Sequence, residues 1–205
     1  DEAIRCYDKA LELDPKYAKA WNNKGLSLAN LNRYDEAIRC YDKALELDPR
    51  DAAAWYNKGI SLGNLGRYED AIRCYDKALE LDPRDAATWN NKGGSLDSLG
   101  RHEDAIRCYD KVLGLDPKDA MAWSNKGLGL AKLDRYDDAI RCCDKALGIG
   151  PRFAVAWYTR ALAEDVLGRR LEAVRSYKQF IALASAQDAA QIQDARKRLR
   201  ELEGH

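Results

Sequence analysis

Between Lys19 and Leu31 the residues Trp21, Gly25, Leu28 and Leu31 fall at i, i+4, i+7 and i+10, which places them on one face of a helix. A second apolar stripe follows in Ala37, Ile38, Tyr41, Ala44, Leu45 and Leu47. It opens on Asp35 and Glu36, acidic residues that suit the positive end of a helix dipole. Between the stripes stands Asn32, and the same slot later holds Gly66, Gly100, Asp134 and Gly168. These residue types tolerate the left-handed conformation that ends a helix. Asp48-Pro49 stops the second stripe, because proline cannot continue a helix and restricts the residue before it. Helix, short turn, helix and proline stop predict an αα-hairpin.

The hairpin repeats. Trp recurs at 21, 55, 89, 123 and 157, and Pro at 15, 49, 83, 117 and 151. Gly holds 25, 59, 93 and 127, with Ala161 in the fifth place. Ala37, Ala71, Ala105, Ala139 and Ala173 keep the same step, as do Tyr41, Tyr75, Tyr109 and Tyr177. A fixed period of 34 residues predicts stacked units sharing one continuous core, since neither helix can bury its stripe alone. The units expected are a half repeat at 1–17 (second helix only), repeats at 18–51, 52–85, 86–119 and 120–153, a degenerate repeat at 154–187 and a capping helix at 188–205. Helices are predicted near 1–13, 19–31, 35–47, 53–65, 69–81, 87–99, 103–115, 121–133, 137–148, 155–167, 171–184 and 188–203. The fold class is all-α.

The succession Trp21, Gly25, Ala37, Tyr41, Pro49 resembles the tetratricopeptide repeat family. It recurs four times nearly complete and a fifth time degraded, across essentially the whole chain. Two slots depart from the family pattern. Lys24, Lys58, Lys92, Lys126 and Arg160 stand where it has leucine, and Leu28, Leu62, Leu96 and Leu130 replace its tyrosine. The resemblance implies a right-handed α-solenoid, a superhelix of stacked helix-turn-helix repeats. It further implies a concave surface lined by the first helix of each hairpin, and a scaffold role in binding an extended peptide or a partner helix.

Within that resemblance, Asn23, Asn57, Asn91 and Asn125 occupy a groove-facing slot. A carboxamide both donates and accepts, so a row of them can pair with the amides of an extended peptide whatever its sequence. The plainer alternative is an asparagine that is solvated or bonds a neighbouring repeat. Selectivity is expected from the variable slots beside the row: Asn22, Tyr56, Asn90, Ser124 and Tyr158, and one turn on Leu26, Ile60, Gly94, Leu128 and Leu162. The Lys/Asn/Arg clamp that some members use for C-terminal carboxylates is not matched, because Asn22 or Tyr56 stands in its lysine slot. The row Lys24, Lys58, Lys92, Lys126 and Arg160 offers attraction for an acidic segment. The simpler expectation is that its stems pack between repeats while its charges reach nearby carboxylates.

Charge and composition narrow the rest. The 205 residues carry 34 Lys+Arg against 34 Asp+Glu, so no broad basic field invites nucleic acid or an anionic membrane. Apolar runs are too short to span a bilayer, and no signal peptide is visible. Cys6, Cys40, Cys74, Cys108 and Cys142 follow the repeat period, with Cys143 as the odd one. Stacked repeats lie about 10 Å apart, too far for a disulfide, so reduced thiols and a cytoplasmic location are expected. The only histidines are His102 and His205, and no phosphate loop, zinc motif or nucleophile–base pair occurs. Neither enzymatic activity nor a metal or other cofactor is expected.

The two ends differ from the middle. Asp1 falls within a repeat, so the chain is expected to lack its natural N-terminus, leaving Ala3, Ile4, Tyr7, Ala10 and Leu11 on a second helix without its first. The uncapped side of that helix is expected to self-associate. At the other end Ile192, Ala195, Leu199 and Leu202 share one side of a helix whose remainder carries Arg196, Lys197, Arg198 and Arg200, a solvating cap. Three roles stay open at this point: a peptide-binding adaptor, a self-associating structural module (natural or engineered), and an interaction domain of a larger enzyme.

Overall fold

The computed structural model describes residues 2–204. Asp1, the first place of the helix expected over 1–13, and His205, the second histidine, lie outside the described residues. The described chain is all helical and falls into two units, Asp1–Gly100 and Arg101–His205. The first holds α1 (Glu2–Leu13), α2 (Ala18–Asn30), α3 (Tyr34–Leu47), α4 (Ala52–Asn64), α5 (Tyr68–Leu81) and α6 (Ala86–Ser98). The second holds α7 (His102–Leu115), α8 (Ala120–Lys132), α9 (Tyr136–Ile149), α10 (Ala154–Val166), α11 (Arg170–Leu183) and α12 (Ala189–Glu203), with a 3-10 turn at Ala186–Asp188 before the last.

Within each unit consecutive helices pack as neighbours, α2 on α3 and α4 on α5 in the first, α8 on α9 and α10 on α11 in the second. First helices of successive hairpins also touch, α2 with α4 and α4 with α6, and α8 with α10. That is the arrangement of stacked helical hairpins.

Recurrent local chemistry sets the boundaries. Asp48 and Asp82 each accept a hydrogen bond from the backbone N–H two residues on, across the proline, at 3.0 Å. This Asx turn aims the chain into the next helix. There Asp51 and Asp119 cap α4 and α8 by accepting from Ala54 N (3.0 Å) and Ala122 N (2.9 Å). Such caps each contribute about 1 kcal/mol. The first helices start one residue earlier than the apolar stripe alone implies, α2 and α10 without a side-chain cap. The indole N–H of every repeat tryptophan donates to the proline carbonyl six residues before it, from Trp21 to Pro15 and Trp55 to Pro49 at 3.0 Å and from Trp157 to Pro151 at 2.9 Å. Proline is therefore both the stop of one helix and the anchor of the next repeat's largest side chain. Asn32 and Asp134 adopt positive φ (59° and 58°), as do Gly66 and Gly168 (73° and 70°), the left-handed residues expected between the two helices of a hairpin.

The hairpin core is a close approach. Tyr41 and Tyr75 are buried, and a Cβ at Gly25 or Gly59 would lie 2.6 or 2.5 Å from the facing tyrosine ring. At Gly25 and Gly59 the ring packs on the helix backbone itself, so an alanine methyl there would force it to shift. In α9 the tyrosine slot is taken by Cys143, fully buried, whose sulfur would stand 3.0 Å from a Cβ at Gly127. At the C-terminal end Phe180 replaces a small core alanine, and Ile192, Leu199 and Leu202 of α12 pack against it and Ala195. Ser185 opens that end with a capping box to Asp188, which turns the first part of the expected helix at 188–203 into a 3-10 turn that begins two residues earlier.

Candidate functional site

Two opposite faces of each first helix carry the chemistry. On α8, Met121, Asn125 and Leu128 follow one another at i, i+4 and i+7, while Trp123, Lys126 and Leu130 follow at i, i+3 and i+7. With 100° per residue the two rows point about 160° apart.

The asparagine row lies on the first of these faces, where successive first helices meet. Asn57 Nδ2 donates to Asn22 Oδ1 at 3.2 Å, and Asn91 Nδ2 donates to the Tyr56 hydroxyl at 3.1 Å and to Ala87 O at 2.9 Å. Both side chains thus bond the preceding repeat, and each links the asparagine row to the row expected beside it. Asn23 is exposed, and Asn57, Asn91 and Asn125 are half-buried. One turn on, Leu26 is exposed (44 %) while Ile60 and Leu128 are half-buried. Asn22, Asn90 and Tyr56 are also half-buried, and Ser124 is buried.

Tyr158 is placed differently. Its hydroxyl donates to Asp194 Oδ2 of α12 at 2.9 Å, and its ring lies 4.8 Å from that of Phe180. Burial, with that carboxylate as acceptor, pushes its phenol up to about 12. The C-terminal helix therefore occupies Tyr158.

Two residues that sequence reasoning passed over complete this face in the second unit. Met121 is 54 % exposed and Val155 is 47 % exposed. They precede Asn125 and Thr159 by one helical turn, in the slot that holds Lys19, Ala53 and Ala87 in the first unit. The sequence marks this slot as the position two residues before each tryptophan. At this slot the face is therefore polar or small in the first unit and apolar in the second.

The lysine row lies on the opposite face and is spoken for. Lys24, Lys58 and Lys126 pair with Asp8, Asp42 and Asp110 of the preceding second helix at 2.5–2.6 Å. Lys92 pairs likewise with Asp76, and Arg160 with Asp144 at 3.0 Å. Each cation also stands 5.3–5.6 Å from the centre of its own repeat's indole. The row ties repeat to repeat, as its simpler expectation had it. Beside it open clefts of 520 and 690 Å³ in the first unit and 340 Å³ in the second, each floored by tryptophan, leucine and cysteine. Sequence reasoning did not find these clefts, because their walls come from three successive helices.

Among the described residues no group of three His, Cys, Asp or Glu could hold a metal ion, and no helix is long and apolar enough to cross a membrane. Cys40, Cys74, Cys142 and Cys143 are buried free thiols, whereas Cys6 is exposed. Burial pushes Cys74 and Cys143 up to about 11 and 12.

The stacked hairpins and their regular spacing have a clear counterpart among known proteins. The tetratricopeptide repeat family matches residues 1–52, 23–85, 56–120 and 95–154, and the chain belongs to that family of interaction repeats. No curated protein matches. Solved structures do. One is a crystal structure of MamA, with 27 % identity and TM-score 0.73, the match covering 77 % of this chain and 92 % of that one. Another is YrrB, described as a TPR protein with an unusual peptide-binding site, with 25 % identity, TM-score 0.75 and coverage of 93 % and 97 %. PilF of Pseudomonas aeruginosa, with 22 % identity, TM-score 0.74 and coverage of 90 % and 88 %, shares the fold.

Proposed function

We propose that the chain is a non-enzymatic scaffold that binds an extended peptide on the first-helix face within each of its two units. The asparagines at 23, 57, 91 and 125 would pair with peptide amides, Leu26 and Ile60 would meet its side chains in the first unit, and Met121, Leu128 and Val155 in the second. The observation that carries this reading is the exposed pair Met121 and Val155 on the same face as the asparagine row. An apolar patch left in water on an ordered helix face is where a partner's apolar side chains would be buried. The peptide-binding site of YrrB, a repeat protein of the same fold, supports it.

A display selection of random peptides on the full chain tests the proposal. Peptides with aliphatic side chains should be enriched, and the Met121→Glu/Val155→Glu variant should fail to retain them. Enrichment of peptides that bind the variant equally well would overturn it.

One observation favours self-association as a second reading. Ile4 helps to cover Cys40 in the first hairpin, whereas Cys6 is exposed and Leu13 of the same helix is 89 % exposed. Light scattering of the chain at increasing concentration should then show growth in mass, and a strict monomer at millimolar concentration would dispose of the idea.

A further inference from the structure

The cleft between α8 and α9 differs in charge from the one between α4 and α5. In the cleft of α4 and α5, Lys58, Arg67, Arg73 and Lys77 are matched by Asp42, Asp70, Asp76 and Glu80. In that of α8 and α9, Lys126, Arg135, Arg141 and Lys145 are met by Asp110 and Asp138 alone. The origin of the imbalance is local. Lys43 and Lys77 each pair with a glutamate three residues on, Glu46 at 2.6 Å and Glu80 at 2.8 Å. The corresponding position after Lys145 is Gly148. Asp144, the counterpart of Asp76, pairs with Arg160 and does not line the cleft.

The consequences are visible in the side chains. Lys145 makes no ion pair among the described residues and instead lies 4.1 Å from the centre of the Trp123 ring. Lys126 approaches the same ring at 5.6 Å. Arg135 and Arg141 share a single carboxylate, Asp138, as Arg67 and Arg73 share Asp70 in the balanced cleft. Both guanidiniums are more than half exposed. Lys145, Arg135 and Arg141 thus bring cationic donors to a cleft whose floor includes Leu130, Ile106 and Cys142. Guanidinium forks bind carboxylates in paired hydrogen bonds.

We propose that this cleft binds an acidic peptide segment, seating an Asp or Glu side chain between Lys145 and the arginine pair with its methylenes on Trp123. The volume of 340 Å³ admits a side chain rather than a folded element. The site lies on the face away from the asparagines and does not depend on the peptide groove proposed above.

The test uses the full chain with nitrogen-15 label and N-acetylated, C-amidated hexaglutamate, hexaglutamine and free glutamate as probes. The indole N–H signals of the tryptophans are followed, with Trp123→Phe used only to assign one of them. Hexaglutamate should move the Trp123 signal saturably and more than the others, and 0.5 M salt should suppress the shift. Gly148→Glu restores the partner that Lys145 lacks, at a helical position where an added Cβ meets nothing within 4 Å. It should weaken binding about fivefold, the effect of one added like charge at contact distance in water. Glutamate raises helix propensity over glycine there, so weakened binding does not reflect unfolding. The proposal is overturned if all tryptophans move alike, if hexaglutamine or free glutamate moves Trp123 as much, or if Gly148→Glu binds as the parent does.

Discussion

Replacing Glu164 by leucine and Ser176 by cysteine returns the last hairpin to the pairing of the others, where Leu28 packs with Cys40, Leu62 with Cys74 and Leu130 with Cys142. Glu164 is a carboxylate in a leucine slot, only 2 % exposed. It is held by Arg160 Nε at 2.7 Å and by the Ser176 hydroxyl at 2.6 Å. Taking a charge out of water costs several kcal/mol, and one ion pair with one hydrogen bond roughly offsets it. The double variant Glu164→Leu/Ser176→Cys removes both buried polar partners together. Arg160 keeps Asp144 at 3.0 Å and, at 26 % exposure, can still reach water. The expected change is from neutral to about 4 kcal/mol more stable. Arg160→Met alone is expected to cost about 3–5 kcal/mol, because Glu164 would remain buried with only a hydroxyl. Stacked repeats need not unfold as one, so the assay is hydrogen exchange of the α10 and α11 amides, which reports local opening. If the double variant exchanges faster by more than about 1 kcal/mol, a typical single-site effect, the ionic network is worth more than the packing it replaced and the reasoning fails.

Three further outcomes follow from the same geometry. Gly59→Ala should destabilise by about 1–3 kcal/mol through overpacking against Tyr75, whereas Gly94→Ala, whose Cβ meets nothing within 4 Å, should stabilise by about 0.5–1 kcal/mol; paired thermal melts distinguish them by sign. Ellman's reagent at pH 8 should modify Cys6 quickly and the buried thiols, Cys74 and Cys143 foremost, only after denaturant is added, so rapid uptake by more than one thiol contradicts the burial described. Asn57→Ala/Asn91→Ala should weaken a groove peptide by about 1–3 kcal/mol, the sum of two net hydrogen bonds, and unchanged affinity in calorimetry would assign these side chains to linking repeats through Asn22 and Tyr56.

The helices were legible because the period that spaces Trp, Gly, Ala, Tyr and Pro is also the period of the packing. Boundaries moved by a residue at both ends of the first helices, with or without a side-chain cap: α2 and α4 start at Ala18 and Ala52, and α4 and α8 close before Leu65 and Leu133. Pairing of the lysine row followed from charge balance and stem length. The face of the asparagines was legible only in part. A sequence shows that residues 22 and 57 recur in their slots, but not that Asn57 spends a donor on Asn22, since the bond joins different hairpins. Tyr158 looked like a groove residue because its slot matches Tyr56, and the helix that covers it lies outside the repeat. The basic cleft of the second unit depends on glycine at 148 where glutamate stands at 80, a difference that matters only once Lys145 is seen over Trp123.

Isothermal titration of a display-enriched peptide against three proteins, the parent, Met121→Glu/Val155→Glu and Gly148→Glu, tests the central claim most directly. A peptide held by the first-helix face should lose at least about tenfold in affinity, 1.4 kcal/mol, when charge is placed at 121 and 155, and should keep its affinity for Gly148→Glu on the opposite face. Full affinity for the Met121→Glu/Val155→Glu variant, with its helical content intact, would contradict the assignment of that face as the peptide site.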